Sequence, residues 1–178
     1  VTKVKEKFPS EEELQRVGVR MIAEIAGRGG AADATVRGVL LEIREGSGLI
    51  MRCPECKRAL QKGICKVHGR IEGYPDLRIK AILDDGSGAV SVVMGRELTE
   101  RLLGMTLDEG MAKAKEKMDL EVVKDMMDEQ LTLKVATVTG VIMADSFGLS
   151  MIAKDAELPT KDIKQEAERL LVELEGPE

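Results

Sequence analysis

Leu77-Arg78-Ile79-Lys80-Ala81-Ile82-Leu83-Asp84-Asp85-Gly86-Ser87-Gly88-Ala89-Val90-Ser91-Val92-Val93-Met94 reads as a strand, a turn and a returning strand. Leu77, Ile79, Ala81 and Leu83 alternate with Arg78, Lys80 and Ile82, the two-residue period of a strand with one buried face. Asp84 to Gly88 supplies aspartate and glycine, which tolerate the backbone angles of a tight hairpin turn. Val90, Val92 and Met94 continue the buried face on the way back. Adjacent carboxylates at 84 and 85 suggest acid–base or metal chemistry, but the turn accounts for them better.

Upstream, Val36 to Ile43 is a β-branched run ending at the turn Glu45-Gly46-Ser47-Gly48, and Leu49 and Ile50 lead into Cys53. Downstream, Glu97 to Leu103 predicts a short helix stopped by Gly104. Thr106 and Glu109 have capping-box spacing before a helix through Met118, and Asp119 caps another as far as Glu129. Two strands follow, Leu131 to Ala144 and Leu149 to Ala156, joined by Asp145-Ser146-Phe147-Gly148.

Amphipathic helices flank this core. Ser10 and Glu13 open the first, in which Leu14, Val17, Met21, Ile22 and Ile25 recur at helical spacing before Gly27. Its apolar face needs a partner, the following domain first and an upstream domain second. Thr160 caps the last helix, whose stripe is Ile163, Ala167, Leu170, Leu171 and Leu174. That stripe packs on its own domain or joins an intermolecular bundle, and the residues leave both open. The resulting division is 1–30 for linker and first helix, 31–157 for the core and 158–178 for the assembly helix. Within the core, 52–70 is a metal loop and 96–130 a helical insertion.

Cys53-Pro54-Glu55-Cys56, eight residues, then Cys65-Lys66-Val67-His68 is a CxxC…CxxH pattern. Two tight turns each present two ligands, and together they enclose a tetrahedral ion. The chain has three cysteines and one histidine, and all four fall in this window. Disulfide pairing would strand one thiol and leave His68 unexplained. Four protein ligands fill the coordination sphere of zinc, so the expected cofactor is structural Zn2+ with no open position for water.

No histidine then remains for Ser–His or Cys–His catalysis, and neither GxxxxGK[ST] nor GxGxxG occurs. The expectation is a protein that is not an enzyme. Hydrophobic residues make up 43% and charged residues 33%, a soluble globular balance. No apolar run approaches the roughly 20 residues of a membrane span, and no secretory signal opens the chain. A start at Val1 rather than Met suggests a fragment or processed product.

The net charge of −5 argues against coating nucleic acid by bulk electrostatics. Yet Arg52 to Lys80 carries eight Lys/Arg and three Asp/Glu, whereas Glu97 to Glu129 carries ten acids and five bases. One basic patch on an acidic body is a local binding footprint. Aromatics are scarce, limited to Phe8, Tyr74 and Phe147, and ten methionines serve as adaptable core filler.

A five-stranded barrel with a helix between its third and fourth strands is the OB fold, and this element order matches it. The prediction is therefore a mainly β chain, an OB barrel with a zinc ribbon between strands 1 and 2 and amphipathic helices at both ends. Arg52-Cys53-Pro54-Glu55-Cys56, Cys65-Lys66-Val67-His68-Gly69, Leu77 to Leu83 and Asp84 to Gly88 resemble the C-terminal DNA-binding domain of the archaeal replication protein A large subunit. Gly95-Arg96-Glu97-Leu98 and Leu102-Leu103-Gly104 are similar to that family as well. The resemblance covers about residues 34–156, and Pro159 to Glu175 resembles its trimerising tail.

The resemblance implies single-stranded DNA binding in replication, repair and recombination. It also implies two smaller OB-fold partner subunits joined through a three-helix bundle, further replication or repair proteins as possible partners, and a cytoplasmic, nucleoid-associated location. The subunit contact would be Ile163, Ala167, Leu170, Leu171 and Leu174. Binding without sequence preference needs cations along phosphates and flat side chains under bases. The candidate cations are Arg70, Arg78, Lys80 and Lys154, and the candidate stackers are Tyr74 and Phe147. Two readings compete with it: an assembly scaffold with weak DNA contact, and a zinc-ribbon RNA-binding factor.

Overall fold

The computed structural model describes residues 18–146 and 148–159. Phe147, the start of the first expected helix and the stripe from Ile163 to Leu174 lie outside the described residues. The elements in chain order are α1 (Ile22–Gly27), β1 (Gly30–Ile43), β2 (Gly48–Arg52), β3 (Ile64–Cys65), β4 (Gly69–Arg70), β5 (Tyr74–Asp84) and β6 (Ala89–Met94). There follow α2 (Arg96–Leu103), α3 (Leu107–Lys117), α4 (Val122–Leu131), β7 (Val135–Asp145) and β8 (Gly148–Glu157).

Five strands close into a ring, β1-β7-β8-β6-β5 and back to β1. The pairs are antiparallel except β6 with β8, which is parallel from Ser91↔Ser150 to Val93↔Ile152. Closure comes from β1 on β5, Val39↔Asp84 to Ile43↔Ala81, with a bulge between Leu40 and Glu42. This order is that of the OB fold. β2 continues the line of β1 along the same β5, from Gly48↔Arg78 to Arg52↔Tyr74. Ser47 repairs the break between the two strands. Its hydroxyl accepts from the backbone N–H of Lys80 (2.9 Å) and donates to the carbonyl of Arg44 (2.7 Å) or Lys80 (2.9 Å).

The predicted alternation holds along the hairpin: Leu77, Ile79, Ala81, Leu83, Val90, Val92 and Met94 are all buried. They meet Val36 and Leu40 from β1, Val138 and Ile142 from β7 and Met151 from β8. β8 approaches β7 closely at Gly140, where a Cβ would meet the Ile152 carbonyl oxygen at 2.2 Å. Only glycine fits there.

The helical insertion packs on this barrel. Val123, Met127 and Leu131 are fully buried in the shared core, and Met105 joins them. Gly104 ends α2 in the left-handed region (φ 62). Thr106 and Glu109 form the complete capping box of α3.

Three boundaries differ from the sequence reading. Among the described residues, Gly18 to Met21 are not helical. Val19 is extended and bridges to Thr35, and the helix starts only at Ile22. The hairpin turn sets this boundary, because Asp85 Oδ2 accepts from Ile22 N (2.7 Å) and Ser87 Oγ from Ala23 N (3.1 Å). Asp119 accepts from Glu121 N (2.9 Å), yet the N-cap of α4 is Glu121 itself. Leu131 ends that helix rather than opening a strand: its side chain is fully buried, and the chain turns through Leu133 (φ 63) before β7 begins at Val135.

Candidate metal centre and nucleic-acid face

Between β2 and β5 the chain makes two short turns with almost no core of their own. In the first, Lys57 N donates to Cys53 O (2.9 Å) and Cys53 N to Arg58 O (2.9 Å). In the second, β3 and β4 pair through Ile64↔Arg70 and Cys65↔Gly69. The turns bring Cys53, Cys56, Cys65 and His68 together, with all four ligand atoms within 4.8 Å of one another.

Individual separations are 3.4 Å from Cys53 Sγ to His68 Nδ1, 3.5 Å from Cys56 Sγ to Cys65 Sγ and 3.7 Å from Cys65 Sγ to His68 Nδ1. Tetrahedral zinc with ordinary bond lengths sets its sulfurs about 3.8 Å apart and sulfur and nitrogen about 3.6 Å apart. The donor set therefore fits zinc in chemistry and in spacing. The cluster also holds its protons unevenly. The Cys65 thiol is pulled down to about 6 by the backbone N–H groups of His68 and Val67. Burial raises Cys53, but the N–H groups of Cys56 and Glu55 outweigh it and the net shift is downward. His68 is raised by its contacts with Cys53 and then Cys65.

A charge cluster ties this knuckle to the barrel. Asp76, buried at the start of β5, accepts from Arg52 Nε and from Arg96 Nε (2.6 Å). Arg52 also donates to Lys57 O (2.9 Å) inside the first turn. Burial pushes the Asp76 carboxyl up, and the two guanidiniums more than reverse it, so it stays below the usual carboxylate range.

Further along β5 lie two more cations, Arg78 and Lys80. Arg78 Nε donates to Gly46 O (2.7 Å) under the turn that joins β1 to β2. Burial lowers the pKa of Arg78 and the charge of Arg52 adds to it, with the Asp76 carboxylate opposing them in part. Lys80 is lowered by burial and then by the charges of Arg78 and Arg44. Arg78 and Lys80 alternate with buried Leu77 and Ile79, and the N–H of Arg44 donates to Lys80 O (2.8 Å), so Arg44, Arg78 and Lys80 form a strip of cations on the outer side of β5.

The predicted site residues divide accordingly. Arg78 and Lys80 share the outer side of β5, as expected from buried Leu77 and Ile79. Arg70 is exposed on β4, and Tyr74, 37% exposed, pairs with Arg52 at the base of the knuckle. Lys154 is not with them: it lies on β8, beyond β6 from β5, and is ion-paired to Asp33. Arg44, Arg52, Asp76 and Arg96 are additions. Arg52 and Asp76 stood inside the basic window, but no periodicity marks a strand residue as an ion-pair centre.

No protein-family model matches the chain, and no curated protein matches it either. Solved structures do. A replication protein A heterotrimer bound to single-stranded DNA aligns at 16% identity and TM-score 0.53, over 85% of this chain and 38% of that one. Yeast replication protein A bound to single-stranded DNA aligns at 13% identity and TM-score 0.52, over 82% of this chain and 86% of that one. The second OB-fold domain of replication protein A from Methanococcus maripaludis aligns at 12% identity and TM-score 0.44, over 82% and 99%. The chain thus spans well under half the length of the first of these. At such identities the first two likenesses establish the OB fold and nothing finer.

Proposed function

We propose that this chain is a single-stranded DNA-binding module, with a structural zinc ion held by Cys53, Cys56, Cys65 and His68. The observation that carries the reading is the strip of cations, Arg44, Arg78 and Lys80, which the barrel brings together on the β5 side of an otherwise acidic protein. Like charges held together in a fold cost free energy that an anionic ligand recovers. The strip lies on a strand of the barrel face by which OB folds take oligonucleotides. The two solved structures with the same fold and the closest superposition given above carry single-stranded DNA.

In this reading Arg44, Arg78, Lys80 and Arg70 contact phosphates, and Tyr74 offers a ring to one base. Zinc, when bound, cross-links the two knuckle turns and has no free position for catalysis. Arg52, through Asp76 and Lys57 O, transmits that rigidity to the end of the strip. The non-enzymatic role, the replication and repair setting, the nucleoid-associated location and the assignment to an archaeal replication protein A large subunit belong to the same proposal. So does assembly with two smaller OB-fold subunits through the tail stripe, tested by Leu170→Asp, which should abolish assembly while leaving zinc content unchanged.

Anisotropy of a labelled oligothymidine of about 16 nucleotides, titrated at several salt concentrations, tests the binding claim. Three or four phosphate contacts predict a log–log salt slope of about −2 to −3. Absent binding at low salt, or a flat slope, overturns the proposal and leaves the scaffold reading. Equal binding of structured RNA moves it to the RNA-binding one.

A further inference from the structure

Aliphatic side chains scattered singly over a surface are ordinary. One corner of this barrel gathers four. Leu133 N donates to Leu40 O (2.7 Å), Leu40 N donates to Lys134 O (2.9 Å), and Val39 pairs with Val135. Leu41 falls in the bulge of β1 between Leu40 and Glu42. These bonds bring Val39, Leu41, Leu133 and Val135 to one place, where the end of α4 meets β1 and the start of β7. Leu40 and Ala136 take the inward positions and are buried, while Leu41, Leu133 and Val135 stay 46%, 72% and 38% exposed. Leu133 also has φ 63, where a leucine works against its own Cβ. Asparagine at that position would relieve the turn and suit the solvent as well. A strained leucine kept open to water points to something that covers it.

The course of the chain says what is within reach. β8 runs antiparallel to β7, and its last pair, Thr137↔Glu157, lies two residues along β7 from Val135. Leu158 packs against the core, and Pro159 is the last described residue. The chain therefore leaves the sheet beside this corner, with residues 160–178 still to follow. Their aliphatic stripe, Ile163, Ala167, Leu170, Leu171 and Leu174, has helical spacing and would span about 16 Å as a helix, about three strand spacings. Residues 160–162 separate Pro159 from the stripe, enough for a turn back onto the barrel.

We propose that residues 160–178 fold back on their own barrel, with the stripe covering Leu41, Leu133 and Val135. Attachment beside the corner makes the docking intramolecular, so a weak contact suffices to hold it. The docked stripe and the subunit bundle use the same five side chains. Assembly then requires the tail to leave its corner first, a consequence that rests on the assembly reading above, whereas the docking does not.

Hydrogen exchange by mass spectrometry tests it on the zinc-loaded full chain alone, at concentrations where native mass gives a monomer. Peptides from 162–174 should be protected in wild type and should exchange about tenfold faster in Leu133→Asn and in Leu41→Asn, which alter the corner and leave the stripe intact. Leu133→Asn sits more easily at positive φ and keeps the turn. Leu120→Asn, at a 68% exposed leucine between α3 and α4, should leave tail exchange unchanged. Free exchange of the tail in the wild-type monomer, or equal protection in both corner variants, overturns the docking and leaves the assembly reading standing. Tail protection that appears only as native mass rises with concentration makes a second copy the occupant and also overturns it. Failure of the assembly reading shows separately, as normal assembly of Leu170→Asp whatever the tail does in the isolated chain.

Discussion

Replacing Asp76 with asparagine leaves the shape at the root of the knuckle nearly unchanged and removes one charge. The carboxylate side chain is 9% exposed and serves Arg52, 23% exposed, and Arg96, 40% exposed. Removing one partner from a fully buried pair typically costs about 3–5 kcal/mol. Here Arg96 is open to water and Arg52 partly so, which discounts the figure toward that of charge-assisted hydrogen bonds, about 2 kcal/mol in all. For a chain of this size that lowers the melting temperature by about 6 °C. The assay is thermal unfolding of zinc-loaded protein, run as a double-mutant cycle with Arg96→Ala. The cycle should give a coupling of about 1 kcal/mol between the two positions. A melting point within a degree of wild type, or strictly additive single changes, would refute the view that Asp76 joins knuckle and barrel energetically.

Other consequences are quicker to state. Met127→Ala empties a fully buried site where the helical insertion meets the barrel and should cost about 2–5 kcal/mol, seen as a lower urea midpoint at unchanged slope. Gly140→Ala forces a Cβ against the Ile152 carbonyl and should cost about 1–3 kcal/mol or prevent soluble expression; near-wild-type stability would mean that β7 and β8 cross less closely than described. Asp85, its carboxyl pushed up by burial but held down more strongly by Ser87 and the N–H of Ile22, has a depressed folded pKa. Its contribution is therefore present above the ordinary carboxylate value and disappears as pH falls through the folded one. Wild type and Asp85→Asn should accordingly differ in urea midpoint near neutrality and converge as pH falls below the depressed folded value. A difference constant with pH would exclude this carboxylate as the cap of α1.

The hairpin and the ligand set were legible in the residues because each rests on a strong local signal. Strict alternation along both strands of the hairpin fixed which side faces the core, and the CxxC…CxxH spacing foretold the cluster of four side chains that could hold a metal ion. Where the sequence misled, a distant group had taken over. Met21 continues the helical spacing into Ile22 and Ile25, but the start of α1 is set by Asp85 and Ser87, more than sixty residues away. The first part of β1, Gly30 to Thr35, is glycine- and alanine-rich and has no strand pattern; pairing with β7 imposes one. Leu131 looks like a strand residue until the barrel end that receives it is known. Lys154 is a cation like those of β5, but ring order and its ion pair with Asp33 set it apart from them. Arg44 escaped notice because its significance arises from Lys80, which a turn and another strand bring beside it.

The central claim is that a single strand lies along β5 beside the metal knuckle. Hydrogen exchange, followed by mass spectrometry on zinc-loaded protein with and without a saturating oligothymidine, tests it most directly. Peptides covering residues 44–52, 57–70 and 74–82 should exchange more slowly in the complex, while those covering α3 and α4 should be unaffected. Protection confined to the helical insertion, or absent everywhere at saturating DNA, would contradict the account.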